Sequence, residues 1–236
     1  MYQSFFRFER DPFNLTPDPR FLFLSRRHEE ALASLIYGVE NRKGFIAITG
    51  AIGSGKTTLC RAFLGQLDPA RYQVALILNP DIDDVELLQS INHEFGLPDD
   101  SRSKRALLAS LNRFLLEALA AGRICLLMID EAQNLPPRAL EQVRMISNLE
   151  TETDKLIQIA LIGQPQLDTL LHRPELEQLN QRVTVRYHLE PLDPRLAVHD
   201  VADVESDLVL RDSLFVDAVL GHPALQAAEE VLAVAL

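Results

Sequence analysis

The 236 residues contain no tryptophan, three methionines and only two cysteines, Cys60 and Cys125. Two thiols cannot build the framework of bridges that staples small secreted domains. Both fall within predicted core elements, so buried, reduced thiols are expected. No apolar stretch reaches the roughly 18 residues that a membrane-crossing helix needs. The opening residues also lack a basic stretch followed by an apolar core, so a cleaved leader is not expected. These absences point to a cytoplasmic setting, where the sequon Asn14-Leu15-Thr16 would go unmodified. Basic clusters are missing too. Of the net charge of −11, residues 193–236 supply −7 through nine acids and two arginines. No basic stripe of the sort that grips a phosphate backbone is present, which argues against a dedicated nucleic-acid binder. Metal-ligand spacing is absent as well. His28, Glu29 and Glu30 lack the second histidine of a zinc helix and read as a solvated helix start, and His172, His188, His199 and His222 stand at no ligand spacing with Cys or Glu.

What remains is enough for one sizeable α/β domain, since 47% of the residues are hydrophobic and 24% are charged. Residues 1–24 form an aromatic and proline-rich lead-in. Helical spacing then runs from His28 to Glu40 through Leu32, Leu35, Ile36 and Val39, with Ser25 placed to cap it. Beyond it, short apolar runs alternate with helical patterns. The runs are Phe45–Thr49, Val74–Asn79, Ile124–Ile129, Ile157–Ile162 and Val183–His188, and most are solidly apolar, as parallel strands covered on both faces are. The helical patterns are Lys56–Leu67, Val85–Phe95, Lys104–Ala121, Pro137–Leu149 and Pro165–Leu171. This alternation predicts a three-layer α/β sandwich around a five-stranded parallel sheet, with a core at 25–192 and an atypical acidic helical tail at 193–236.

Directly after the first apolar run stands Gly50-Ala51-Ile52-Gly53-Ser54-Gly55-Lys56-Thr57, followed by Thr58. A strand, a glycine-rich turn of the form G-x-x-x-x-G-K-T and a helix make a P-loop. Such a turn aims several backbone N–H groups inward at a helix N-terminus and so cradles phosphate. Lys56 would reach the β- and γ-phosphates of a nucleoside triphosphate, and the Thr57 hydroxyl would ligate Mg²⁺. The third run ends in Asp130-Glu131, the Walker B arrangement: Asp130 would hold Mg²⁺ and Glu131 would orient and deprotonate the attacking water. Asn79 closes the second run and Gln164 follows the fourth. If their strands flank the P-loop strand, both amides emerge at the catalytic edge, Asn79 to restrain Glu131 and Gln164 to sense the γ-phosphate. Arg182 precedes the last run and has two readings: an arginine finger that enters a neighbouring subunit's site, with Arg186 in reserve, or a surface arginine paired with Glu175 or Glu177.

Several segments resemble the AAA+ ATPase domain of the general secretion pathway protein A family. They are Pro12-Phe13-Asn14-Leu15-Thr16-Pro17-Asp18-Pro19-Arg20-Phe21, Leu35-Ile36-Tyr37-Gly38-Val39, Asp130-Glu131-Ala132-Gln133-Asn134-Leu135, Ser147-Asn148-Leu149-Glu150-Thr151 and Gly163-Gln164-Pro165. The likeness runs from residue 1 to about 193. It implies a sheet order of 5-1-4-3-2, ATP as the nucleotide, a Walker B pair at Asp130 and Glu131, a sensor at Gln164 and an arginine finger at Arg182. It also implies a homo-oligomer and a membrane partner protein, in a complex that helps an outer-membrane secretin assemble. Similar ATPases accompany pilus assembly, and distant ones assist DNA transposition. After Pro191-Leu192-Asp193 the resemblance ends: the family's helical lid with a second sensor arginine has no matching motif, and the tail reads as a diverged or truncated lid or a shifted frame. Three functions follow for comparison. The first is an ATPase that drives conformational change in a secretion or pilus assembly. The second is a DNA-associated helper of transposition type, marked by salt-dependent DNA binding. The third is a module that binds ATP without turning it over.

Overall fold

In a computed structural model of the chain, the described residues are 24–191 apart from Asn79 and Thr153. The chain divides into two units, Arg27–Pro191 and a second unit of Met1–Arg26 with Leu192–Leu236. The predicted lead-in before Leu24 and the acidic tail lie outside the described residues.

The elements follow in the order α1 (Arg26–Glu40), β1 (Phe45–Gly50), α2 (Lys56–Gln66), β2 (Tyr72–Ile77), α3 (Asp84–Glu94), α4 (Lys104–Ala120), β3 (Ile124–Ile129), α5 (Pro137–Ile146), β4 (Ile157–Gly163), α6 (Pro165–Leu171), α7 (Glu177–Asn180) and β5 (Val183–Leu189). All five strands are parallel and lie side by side as β2-β3-β4-β1-β5, which is the expected order read from its other edge. Every residue of β1, β3 and β4 is buried, the signature of central strands covered on both faces. On one face Ala47, Leu127, Ile129, Ile159 and Leu161 pack with Leu87, Leu88 and Ile91 of α3, Leu107, Leu111 and Leu115 of α4, and Leu140 and Val143 of α5. The opposite face takes α1, whose Gly38 lies against Ile46, and α2 packs along β1. Among the described residues no helix is long and apolar enough to cross a membrane.

Local chemistry sets the ends of these elements. Asp83 caps α3 by accepting from the Val85 and Glu86 amides, while the Glu86 carboxylate returns a bond to the Asp83 N–H. Ser103 caps α4, and prolines stand in the first turn of α5 and α6, where a missing N–H costs nothing. Two boundaries depart from expectation. The second strand begins at Tyr72 and ends at Ile77, so Asn79 lies past its end, at a position outside the described residues. Helix α5 stops at Ile146, where the chain tightens into a turn: the Asn148 and Leu149 N–H groups bond three residues back, to the Met145 and Ile146 carbonyls, ahead of an antiparallel bridge between Glu150 and Lys155.

The start of β1 is fixed by a buried polar contact. Gln158 of β4 is 1% exposed, and its Oε1 accepts the buried N–H of Gly44 at 2.8 Å. The Gly44 carbonyl in turn accepts the Ile159 N–H at 2.7 Å, so both polar groups of that residue are spent on β4. Replacing the amide by an apolar isostere strands a buried donor. Gln158→Leu is expected to cost about 1–3 kcal/mol, seen as a lower urea midpoint at an unchanged slope.

Candidate functional site

The loop between β1 and α2 turns on Gly55, whose φ of 86° lies in the left-handed region that favours glycine. A side chain there would also collide, since a Cβ on Gly55 would stand 2.5 Å from His28 Nε2. Gly55 offers no side-chain cap, so the first amides of α2 are donors that the helix itself does not satisfy. Lys56 is 6% exposed and folds back over the loop, where its Nζ donates to the carbonyls of Gly50 (2.7 Å) and Ala51 (2.9 Å). The ammonium is thereby held at the mouth of the amide cradle. Ser54 Oγ is buried and has no hydrogen-bond partner among the described residues. A buried hydroxyl, a tethered cation and uncapped amides make a donor set suited to an anion.

Beside the loop, β3 delivers Asp130 and Glu131. The Thr57 hydroxyl donates to Asp130 Oδ2 at 3.2 Å, which brings together two hard oxygen ligands of the type Mg²⁺ takes. Asp130 is 5% exposed, and burial is the main force raising its pKa. The Glu131 N–H bonded to Oδ1 at 2.9 Å opposes that rise, the Glu131 charge adds to it, and Thr57 and Lys56 oppose it. A carboxylate disfavoured by burial gains from a divalent cation, so the residues fit one. Glu131 itself sits at φ 52°, an uncommon left-handed conformation for a residue with a Cβ. Its Oε2 accepts Gln133 Nε2 at 2.5 Å and Gln164 Nε2 at 3.2 Å.

The remaining expected residues divide between those brought into the site and those held elsewhere. Gln164 reaches it because β4 pairs directly with β1. The strand that precedes Asn79 does not flank the P-loop strand: β2 pairs with β3 alone and is separated from β1 by β3 and β4. It abuts the Walker B strand instead, with the Asp130 N–H donating to the Ile77 carbonyl. Asn79 itself lies outside the described residues. Arg182, just ahead of β5, donates to Ser147 Oγ at 2.8 Å rather than to Glu175 or Glu177. Arg186 is held by Asp168 Oδ1 and by the backbone and side-chain oxygens of Asn180. Ala51, Ile52, Gly53 and Thr58 complete the loop and the first turn of α2, and Ile52 is 82% exposed at its tip.

Sequence reasoning missed two participants. Gln133 was visible only as part of a motif. His28, expected in solvent, is 3% exposed, and its Nε2 bonds the Ser54 carbonyl at 3.0 Å from behind the loop. The signal was there in the spacing: His28 lies on the same stripe as Leu32, Leu35 and Val39, the buried side of α1. Cys60 lies near both Asp130 and Lys56. Its thiol is pushed up to about 12, first by burial, then by Asp130 and against Lys56, so it is inert. Cys125 is pushed up to about 11 by burial.

Comparison with known proteins supplies the context. Residues 39–171 match the family described as AAA domain. Over 193 residues, 81% of this chain, the sequence is 48% identical to General secretion pathway protein A of Aeromonas hydrophila. The match takes in 35% of that protein, so the chain spans about a third of the length of this curated relative. Similar solved structures include Cdc6p from Pyrobaculum aerophilum, with a TM-score of 0.61 and 20% identity over 85% of this chain and 52% of that one. The ORC2 protein of Aeropyrum pernix in its ADPNP–ADP complexes gives 0.58 and 18%, over 82% and 55%. AMPPCP-bound DnaA from Aquifex aeolicus gives 0.51 and 17%, over 88% and 60%. At these identities the likeness is one of fold.

His28 also makes a measurable prediction. Burial lowers its pKa from 6.5, and the bond to the Ser54 carbonyl opposes the shift only in part. The unfolded chain therefore binds a proton that the folded chain refuses, so stability should fall as the pH drops below about 6.5. Chemical denaturation at pH 7.5 and 5.5 should show a larger loss for the natural protein than for His28→Gln, which keeps an N–H donor and does not titrate.

Proposed function

The chain belongs to the AAA domain family, and we propose on that footing that it binds ATP with Mg²⁺ and hydrolyses it to drive conformational change in a larger assembly. The observation that carries this reading is the convergence of Lys56, Thr57, Asp130 and Glu131 at one sheet edge. There the Thr57 hydroxyl and the Asp130 carboxylate meet at 3.2 Å beside an uncapped helix start. Lys56 exchanges its bonds to the Gly50 and Ala51 carbonyls for the β- and γ-phosphate oxygens. Thr57 and Asp130 would hold Mg²⁺, whose charge would offset that of the phosphoryl group. Glu131 takes the proton of the attacking water, and Gln164, on the neighbouring strand, reads the γ-phosphate. Asn79 stays a candidate restraint on Glu131, since its strand adjoins the one that carries the base.

Arg182 acts in trans. Its hydrogen bond goes to one neutral hydroxyl, that of Ser147, whereas Arg186 is gripped by a carboxylate and two further oxygens. Arg182 thus has fewer direct hydrogen bonds to give up toward a neighbouring subunit, although Glu141 and Glu150 lie within its field, and this supports a homo-oligomer. The likeness to General secretion pathway protein A supports a secretion or pilus assembly as the machine driven. In that role the chain works at the cytoplasmic face of the inner membrane through a membrane partner.

Calorimetry with ATP–Mg²⁺ tests the binding step. The natural protein is expected to bind and Lys56→Ala to lose binding; no affinity in the natural protein would sink the reading. Glu131→Gln should keep binding and lose turnover by about 10²–10⁴-fold. Phosphate release without Glu131 would remove that residue from the chemistry. Turnover per subunit should climb with protein concentration, and Arg182→Ala should abolish that climb with a loss of about 10³-fold or more. A flat concentration profile excludes the trans finger, and tight binding without phosphate release identifies a module that only binds.

A further inference from the structure

Glu131, Gln133 and Gln164 form a closed ring of hydrogen bonds. Gln133 lies in the single 3-10 turn Ala132–Asn134 that follows β3. Its Nε2 donates to Glu131 Oε2 at 2.5 Å, and its Oε1 accepts the backbone N–H of Gln164 at 2.9 Å. Gln164 Nε2 closes the ring on the same Glu131 oxygen at 3.2 Å. The ring exists because residue 163 has no side chain. A Cβ there would stand 2.5 Å from Gln133 Oε1, so Gly163 is the gap through which the amide crosses from the end of β3 to the end of β4.

We propose that Gln133 is a positioning residue that sets the direction of the Glu131 carboxylate and ties it to the backbone of the γ-phosphate sensor Gln164. The proposal rests on the hydrolytic reading of the site. Two donors share Oε2, and they are unequal. The Gln133 bond is short and charge-assisted, whereas the Gln164 bond is longer by 0.7 Å and weaker. When Gln164 turns its amide toward a phosphate oxygen, the longer bond is the one exchanged. Gln133 keeps hold of Oε2, so the carboxylate stays aimed and the other oxygen remains for water. Gln133 also keeps the Gln164 backbone in place while that side chain moves. A base held this way retains its direction at the moment its second donor is withdrawn, which is the geometric precision general-base catalysis demands.

Two variants separate the two halves of the ring. Gln133→Ala removes both bonds. Gln133→Glu keeps an oxygen for the Gln164 N–H but replaces the donor to Glu131 with a like charge. Both are expected to lower kcat by about tenfold to a hundredfold while the ATP–Mg²⁺ dissociation constant stays within about threefold, as for a group that acts only on orientation. Combined with Glu131→Gln, neither should cost anything further. Hydrogen exchange of the Gln164 amide without nucleotide gives an independent readout: protection falls in Gln133→Ala and persists in Gln133→Glu. Unchanged kcat, a parallel loss of ATP binding, an additive loss in the Glu131→Gln background or unaltered exchange in Gln133→Ala would each overturn the proposal. Were the natural protein to bind no ATP–Mg²⁺, the functional reading would fall, and the exchange experiment would still decide whether the ring exists.

Discussion

Five strands that all run the same way deliver every carboxyl end to one edge of the sheet, and the chemistry of this chain depends on that constraint. β1 ends in the glycine loop, β3 in Asp130 and Glu131, and β4 in Gln164. In the order β2-β3-β4-β1-β5, β4 stands between the loop strand and the acid strand. Gln164 is therefore interposed between the glycine loop and Glu131 by topology alone. An antiparallel arrangement would send alternate ends to opposite edges and scatter the same residues.

Placement alone does not hold the groups. The loop is supported from three directions: by His28 on the Ser54 carbonyl, by Lys56 on its own carbonyls, and by the Thr57–Asp130 contact that links the start of α2 to β3. The Glu131 carboxylate is held by two amides, and its backbone is bent into a left-handed conformation. Burial marks the loop and its acidic neighbour, since Lys56, Asp130, Ser54 and His28 are all nearly inaccessible. Polar groups withdrawn from water in this way interact strongly with whatever partner reaches them, which suits a buried donor set to an anionic ligand.

Legibility in the sequence varied with the range of the interaction. The β1 and β3 spans, the start of α2 and the Asp130–Glu131 pair could be read because apolar runs and glycine spacing are local signals. Element ends were less legible: α5 gives way after Ile146 to a turn in which Asn148 and Leu149 bond three residues back, and the second strand ends before Asn79. His28 was misread because charged neighbours masked its place on the apolar stripe of α1.

By itself, the sequence determined that a strand feeds a phosphate loop, that an acidic pair ends another strand, and that the sheet is parallel. These follow from backbone rules that act over a few residues: glycine's freedom at positive φ, and the burial demanded of a solid apolar run. Only the tertiary structure decided which donors touch Glu131, which oxygens hold Arg182 and Arg186, and that His28 braces the loop. Those contacts join residues up to 35 positions apart, such as Arg182 with Ser147 and Gln164 with Glu131. Their geometry is set by how the layers pack, which no local pattern encodes.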